Sequence, residues 1–452
     1  MSPTVPDWVH RVRARLSARL ETDSARPLAL ALSGGGDSIA LLQVAAGWAR
    51  DHGRPLLALT VDHALSPDSA RWTAFAGEAA RAAGAEWRAL SWTGPKPATG
   101  LPAAARAARH RLIAEAARGA GARVILFAHT AGDIAESELM RAEGASLGRL
   151  RDWSPSPAWP EGRGLMLLRP MLDVGRAELR DWLKGQGRDW IDDPANDDQT
   201  YARARARASL LPSGEAAPGG STLTLSPKDA RSALVCSDPL PMGEGSFSID
   251  RVISARTLAA VLVCVGGGDR PPRGDRLDRL LNHLRVGETF TAVLCGARVE
   301  AAADHVLVTR ECGEFARRSA PALPLPPGEE AVWDGRWAIT AAGPGWSVVP
   351  AAGRLSTLSK ADRARLNRLP PAARGALPVL IRNEATAPVL AATVAVARSL
   401  VEQRLALALD RMTHESELEP RAHGATPRNH LFSGADFTED GSAPRFQGSR
   451  RE

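Results

Sequence analysis

The chain has 452 residues, 44% of them apolar and 24% charged, which excludes a single small module and wholesale disorder and suggests about three domains. Its 57 basic residues outnumber 51 acidic ones, and only Lys96, Lys184, Lys228 and Lys360 are lysines, so 53 are arginines. The net charge of +6 is thus carried by guanidinium groups, whose planar fork suits phosphate; a polyanionic partner and a plain genomic preference for arginine both fit.

Cys236, Cys264, Cys295 and Cys312 stand apart, with no C-x-x-C pair, as in a reducing cytoplasm. The first twenty residues intersperse Arg11, Arg13, Arg15 and Arg19 and lack the apolar core of a secretory signal. Apolar runs such as Thr257 to Gly268 reach about a dozen residues against the roughly 20 that span a bilayer. The expectation is a cytoplasmic protein with no membrane span.

From Asp7 to about Gly187, short apolar runs alternate with helix-forming segments, the pattern of a doubly wound parallel sheet covered by helices. Strands are expected at Leu28 to Leu32, Leu56 to Val61, Glu86 to Ser91 and Arg123 to Ala128. Helices are expected near Ser38 to Arg50, Ser69 to Ala83, Pro102 to Arg118 and Asp133 to Glu143. Ser, Pro and Gly then cluster from Pro212 to Phe247, which reads as a linker or insertion. Leu277, Leu280, Leu281 and Leu284 recur at helical spacing, and Phe290 to Val308 alternates through a turn at Gly296. Trp333-Asp334-Gly335-Arg336-Trp337 reads as a hairpin with a two-residue turn, because Asp-Gly tolerates positive φ. Polar residues without periodicity from Thr413 to Glu452 read as a mostly disordered tail.

Leu28 to Leu32 runs directly into Ser33-Gly34-Gly35-Gly36-Asp37-Ser38, a strand, a glycine turn and a helix start. Such a turn brings backbone amides and the positive end of a helix dipole toward an anion. Taken alone, a glycine triplet is equally a plain turn; Ser33, Asp37 and Ser38 add polar groups at its rim. No lysine lies in a Gly-Lys-Ser or Gly-Lys-Thr context, which excludes a Walker A loop.

This loop resembles the S-G-G-x-D-S loop of the N-type ATP pyrophosphatases, whose chemistry is adenylation with loss of pyrophosphate. Val61-Asp62-His63-Ala64-Leu65-Ser66-Pro67-Asp68-Ser69 is similar to the V-D-H-x-L-R-x-x-S segment of the tRNA(Ile)-lysidine synthases, with Ser66 in place of Arg. Ala103 to Arg111, with Arg106, Arg109 and His110, is similar to that family's A-R-x-x-R-Y segment, and Ala128-His129-Thr130-Ala131-Gly132-Asp133-Ile134-Ala135-Glu136 to its A-H-H-x-D-D-Q-x-E segment. In the latter, Thr130, Gly132 and Ile134 replace the second His, the first Asp and Gln. Arg169-Pro170-Met171-Leu172, Asp193-Pro194-Ala195-Asn196, Tyr201 to Arg207 and Leu210-Leu211-Pro212 follow in the family's order, with Ala204 in place of Asn.

The resemblance spans about Pro27 to Pro212 and implies an ATP-dependent ligase. It would join L-lysine to C2 of the wobble cytidine of the isoleucine tRNA with a CAU anticodon, through an adenylated intermediate, changing the codon read from AUG to AUA. It further implies catalytic roles for Asp37, Asp133 and Arg203, and ATP contacts by Ser33, Gly34, Gly35, Gly36, Asp37, Ser38, Asp62 and His129. Arg106, Arg109, Glu136 and Arg207 would meet substrate or tRNA, and Mg2+ is expected with the ATP. Read without the family, Asp62 and His63 are polar loop residues, and the arginine pairs at helical spacing are solvated faces. Asp133 and Glu136 share a face that can hold an ammonium or, through water, a magnesium ion; an acid there also simply suits a helix start.

The expected organisation is a PP-loop catalytic domain at 1–212, a linker or insertion at 213–247, a helical and hairpin tRNA-binding region at 248–323, a mixed α/β module at 324–412 and a tail at 413–452. Arg270, Arg273, Arg276 and Arg279 line or precede a helix of the third segment and suit tRNA or a solvated face alike. Two other readings stand beside the ligase: another adenylating tRNA-modifying enzyme such as a thiolase, for which Cys295 and Cys312 are the nearest cysteine pair, and a non-catalytic tRNA-binding relative.

Overall fold

A computed structural model describes residues 5–143, 149–192, 205, 209, 240–241, 246–318, 321–382 and 387–418. Its first half is built on β1 (Leu28–Ala31), β2 (Leu56–Asp62), β3 (Glu86–Ser91), β4 (Val124–Leu126), β5 (Trp153–Pro155) and β6 (Met166–Leu168). They form one sheet in the order β3-β2-β1-β4-β6-β5, parallel throughout except where β5 pairs antiparallel with β6.

Alternate side chains of these short apolar strands enter different cores. Leu28, Leu30, Leu56 and Ala58 pack with residues of α1 (Asp7–Arg19), α2 (Gly36–Asp51), α3 (Ser69–Ala82) and α6 (Arg176–Gly185), whereas Ala29, Leu57 and Leu59 pack on Ile113, Ala114 and Ala117 of α4 (Leu101–Gly119). Both faces are therefore covered, which is why the strands read as continuous apolar runs rather than alternating ones. The chain leaves β1 toward β2 and β3 and returns on its other side at β4, so β1 and β4 flank the switch point where a crevice opens at the carboxyl edge.

The four expected strands and helices are present with ends shifted by at most two residues, the last helix as α5 (Ala131–Ala142). β5 and β6, at three residues each, are not among the expected strands.

After residue 246 the sheets are antiparallel. Leu240–Pro241, Phe247–Ile249, Phe290–Leu294, Ala297–Ala301 and Val306–Arg310 form a five-stranded sheet beneath the helices Ala255–Gly266 and Gly274–Val286. The second helix buries Leu277, Leu280, Leu281 and Leu284, as their spacing requires, and Cys295 and Gly296 take positive φ at the expected turn. The linker expected at 213–247 lies mostly outside the described residues, but its end is not linker: Pro241 pairs with Phe247 in this sheet. Four-stranded and three-stranded sheets follow between Leu323 and Ser399 around a shared core. Asp334 and Gly335 adopt the expected positive φ, but Trp333 pairs with Trp337, so the hairpin loop holds three residues rather than two; the third, Arg336, is buried against Asp334 and the Ala376 carbonyl.

The tail expected from Thr413 starts later, because the chain first returns to the catalytic half; residues 419–452 lie outside the described residues. The helix Val401–Ala408 places Val401 and Leu405 in the core of the five-stranded sheet and Leu407 in the core around α1 and α2, which Leu418 also joins. Asp410 accepts two hydrogen bonds from Arg151, at 2.7 and 2.6 Å, and also pairs with Arg256. Glu415, the decisive residue, sits fully buried in a bidentate pair with Arg54 at 2.6 and 2.7 Å, and accepts the Glu21 amide at 3.1 Å. The remaining Arg54 contacts go to the carbonyls of Arg26 and Glu21. An ion pair with its polar atoms satisfied in this way is tolerable inside, but removing one partner leaves a buried charge. Glu415→Ala is accordingly expected to lower the unfolding free energy by about 3–5 kcal/mol in urea titrations, and an unchanged midpoint would contradict it.

Candidate active site

The last ladder bond of β1 is Leu32 N–H to the Leu59 carbonyl, and the turn begins at the next residue. Gly34 has φ +89°, and a Cβ there would lie 2.6 Å from Ile191 Cδ1, so both backbone and space demand glycine. The Ser38 hydroxyl is 3.2 Å from that of Ser33, accepts from the Gly34 amide and donates to the Gly35 carbonyl, which pins the turn from inside. α2 starts at Gly36 with no side chain capping it, so the amides of Gly36, Asp37 and Ser38 have no acceptor within the helix. With the dipole of a sixteen-residue helix behind them, they form an anion cradle.

Over this cradle lies a strap that the sequence did not reveal. Ile191 bridges to Gly35 and donates to the Gly34 carbonyl at 2.9 Å, and the Trp190 ring lies 3.5 Å from where a Gly36 Cβ would be. Arg180 is 5.8 Å from the Trp190 ring centroid and pairs with Asp192.

Across the switch point stands the start of α5. Asp133, buried, turns Oδ2 back to accept the Thr130 amide at 2.8 Å and hydroxyl at 3.1 Å, so one oxygen serves the helix start, as an acid at that position should. Its other oxygen and its neighbours' face a single cation. Arg176 donates from Nε to Asp37 at 3.1 Å, from Nη1 to Glu136 at 2.7 Å and from Nη2 to Asp133 at 3.1 Å. The face read as able to hold an ammonium or magnesium ion thus holds a guanidinium of the chain itself. Burial works against that charge, yet Asp133, Glu136 and Asp37 together keep the guanidinium pKa above its ordinary value. Burial pushes the Asp37 carboxyl upward, against the pull of Arg176. Among the described residues no three His, Cys, Asp or Glu side chains are grouped to hold a metal ion by themselves.

Arg176 is absent from the expected site residues although a signal existed: it is the first residue of α6, where the helix dipole disfavours a cation unless anions hold it.

The remaining expected residues gather along the same edge. Asp62 ends β2 and accepts the Ala64 amide at 2.7 Å, organising its own turn. His63 stands edge-on to Trp92, and burial, then Arg109, lowers its pKa. His129 follows β4 and stacks on Phe127, whose ring also stacks with His110. Burial, reinforced by Arg109 and Arg106 on the same helix, depresses His110 to about 2, so it is neutral. Arg106 is exposed and Arg109 half-buried. Arg169 is buried and donates to the Arg151 carbonyl and the Ser154 hydroxyl, a structural task; burial, then Arg106, lowers its pKa to about 10. Arg203 and Arg207 lie outside the described residues.

A glycine turn with uncapped helix amides at the switch point of a parallel sheet, faced by acids, defines a PP-loop nucleotide-using protein, and the PP-loop domain family matches residues 9–214. The chain is 50% identical over 383 residues to the tRNA(Ile)-lysidine synthase of Caulobacter vibrioides, covering 84% of this chain and 90% of that one. It is 33% identical over 351 residues to the enzyme of that name from Hyphomonas neptunium, covering 74% and 91%. For the one from Rhizobium meliloti the figures are 33% over 356 residues, 74% and 77%. The chain belongs to the tRNA(Ile)-lysidine synthase family, tRNA-modifying ligases with a PP-loop ATP-binding domain.

Two outcomes follow from this geometry. Gly34→Ala forces a side chain into positive φ and against Ile191, and ATP affinity measured by equilibrium dialysis is expected to fall at least about tenfold, whereas unchanged affinity would mean that the turn is not the cradle. His110, depressed from its ordinary 6.5 to about 2 in the fold, takes up its proton only on unfolding as pH drops below 6.5. Its contribution is present above that pH and lost as pH falls, so His110→Phe should show a smaller drop in Tm between about pH 7 and pH 5 than the parent; equal drops would refute it.

Proposed function

We propose that the chain uses ATP to adenylate the carbonyl oxygen at C2 of the wobble cytidine in the isoleucine tRNA with a CAU anticodon. The amine of L-lysine then attacks that carbon, AMP leaves, and lysidine remains. The observation that carries this reading is the cradle at Ser33–Ser38 in a chain of this family. The amides of Gly36, Asp37 and Ser38 hold the phosphates and take up the charge that develops on departing pyrophosphate, while the base oxygen approaches the α-phosphorus in line. The wobble base is reached because it lies in a single-stranded loop and can be splayed out.

Magnesium fits the donor chemistry: it typically binds through one or two carboxylates plus substrate phosphates, and Asp37, the most exposed of the three acids, is the group that would hold it. Its charge would offset that of the phosphates. Asp133 and Glu136, paired with Arg176, back the site from α5, Asp62 and His129 flank the nucleoside, Arg106, Arg109 and Arg207 meet tRNA phosphate, and Arg203 takes the catalytic role that the family resemblance implies. Exposed Arg270, Arg273, Arg276 and Arg279 on and before the helix Gly274–Val286 suit the tRNA body, with 248–323 and 324–412 as the tRNA-gripping regions after a catalytic domain at 1–212. No helix among the described residues is long and apolar enough to cross a membrane, and the substrates place the reaction in the cytoplasm.

A thiolase is disfavoured because thiolation commonly needs paired cysteines, and the nearest two, Cys295 and Cys312, stand seventeen residues apart. A non-catalytic binder is disfavoured by the intact loop. Asp37→Ala is expected to abolish formation of AMP and pyrophosphate in the presence of this tRNA and lysine while tRNA binding in filter assays persists. Pyrophosphate release at the parent's rate would defeat the assignment.

A further inference from the structure

We propose that Arg176 is a positioning residue for this reaction: seated in space that glycine at 132 leaves open, its guanidinium holds Asp37 of the phosphate loop and Asp133 and Glu136 of α5 in one fixed acidic arrangement. The inference rests on the functional reading above and deepens it.

Four observations support it. Each of the three guanidinium nitrogens serves a different acid, so one side chain joins the loop after β1 to the helix after β4 across the switch point. Without the cation, three carboxylates would stand together beside a cradle built for phosphate, repelling one another and the triphosphate. Arg176 also begins α6, where the dipole opposes its charge, so its place is set by the acids and not by its own helix. Finally, Gly132 has no positive φ that would call for glycine; what it supplies is room. A Cβ at 132 would lie 3.2 Å from Arg176 Nη1, the nitrogen that reaches Glu136, and 3.5 Å from Cζ.

The geometry also says why lysine is a poor substitute. A single ammonium can reach toward one or two of the acids, whereas the fork spans Asp37 and Glu136 from opposite sides.

The test compares wild type, Arg176→Met, Arg176→Lys and Gly132→Val in the full-length protein, following AMP formation with tRNA and lysine, and ATP binding by equilibrium dialysis without either. Arg176→Met is expected to lose about tenfold to a hundredfold in kcat and to bind ATP more weakly than the parent. Arg176→Lys should recover part of the loss, and methylguanidinium added to Arg176→Met should recover part as well, which a merely structural defect would not show. Gly132→Val keeps every charge but crowds the guanidinium and should lower kcat in the same direction as Arg176→Met; parent kcat in Gly132→Val would mean that the space at 132 is not needed. Parent kcat and ATP affinity in Arg176→Met, or a loss that neither lysine nor methylguanidinium relieves, would overturn the role of Arg176. A wild-type protein that binds ATP but forms no AMP would instead defeat the functional reading, and ATP affinity in Arg176→Met would still decide whether the guanidinium organises the loop.

Discussion

Three backbone amides at the start of α2, held open at the end of a central strand, are the constraint around which the rest is arranged. They exist as a site because β1 is locked between β2 and β4, because Gly34 turns the chain through positive φ, and because Ser38 ties the turn to itself. Among the described residues no side chain is hydrogen-bonded to those amides, so the helix presents its partial positive charge to whatever anion enters. Ile191 and Trp190 cover the turn and leave little freedom for it to collapse when no ligand is bound.

An anion cradle beside a cluster of acids is an electrostatic conflict, and the structure resolves it locally. Arg176 neutralises part of the acidic wall, and burial together with Arg109 lowers the pKa of His63, just after β2, and of His110 on α4. Arg106, exposed, and Arg109, half-buried, lie on α4. Such a division, with phosphate drawn to the amides and cations drawn to the wall, suits a reaction that joins a polyphosphate, a nucleic acid and an amine.

The second half of the chain is tied to the first at several points rather than by a single connection. Trp159 donates to the Gly335 carbonyl at the hairpin tip, Arg163 pairs with Glu330, Asp410 joins Arg151 to Arg256, and Glu415 closes on Arg54 beneath α2. The chain's return to its own beginning makes the region after Ser399 part of the support of the catalytic core, with Leu407 and Leu418 completing the packing around α1 and α2.

The phosphate loop, the first four parallel strands, the leucine-spaced helix and the hairpin at Asp334-Gly335 were legible in the sequence, because each follows from local rules: apolar runs, period, and residues that tolerate positive φ. Family order among the motifs carried the reading of the chemistry. What tertiary structure alone decided was long-range pairing. The spacing of Asp133 and Glu136 puts them on one helix face, but nothing in the sequence announces that Asp37 and Arg176 join them, because the starts of α2, α5 and α6 converge only once the strand order is fixed. Likewise Glu415 reads as one more polar residue near the end of the chain, and only burial against Arg54, 361 positions away, turns it into a structural closure.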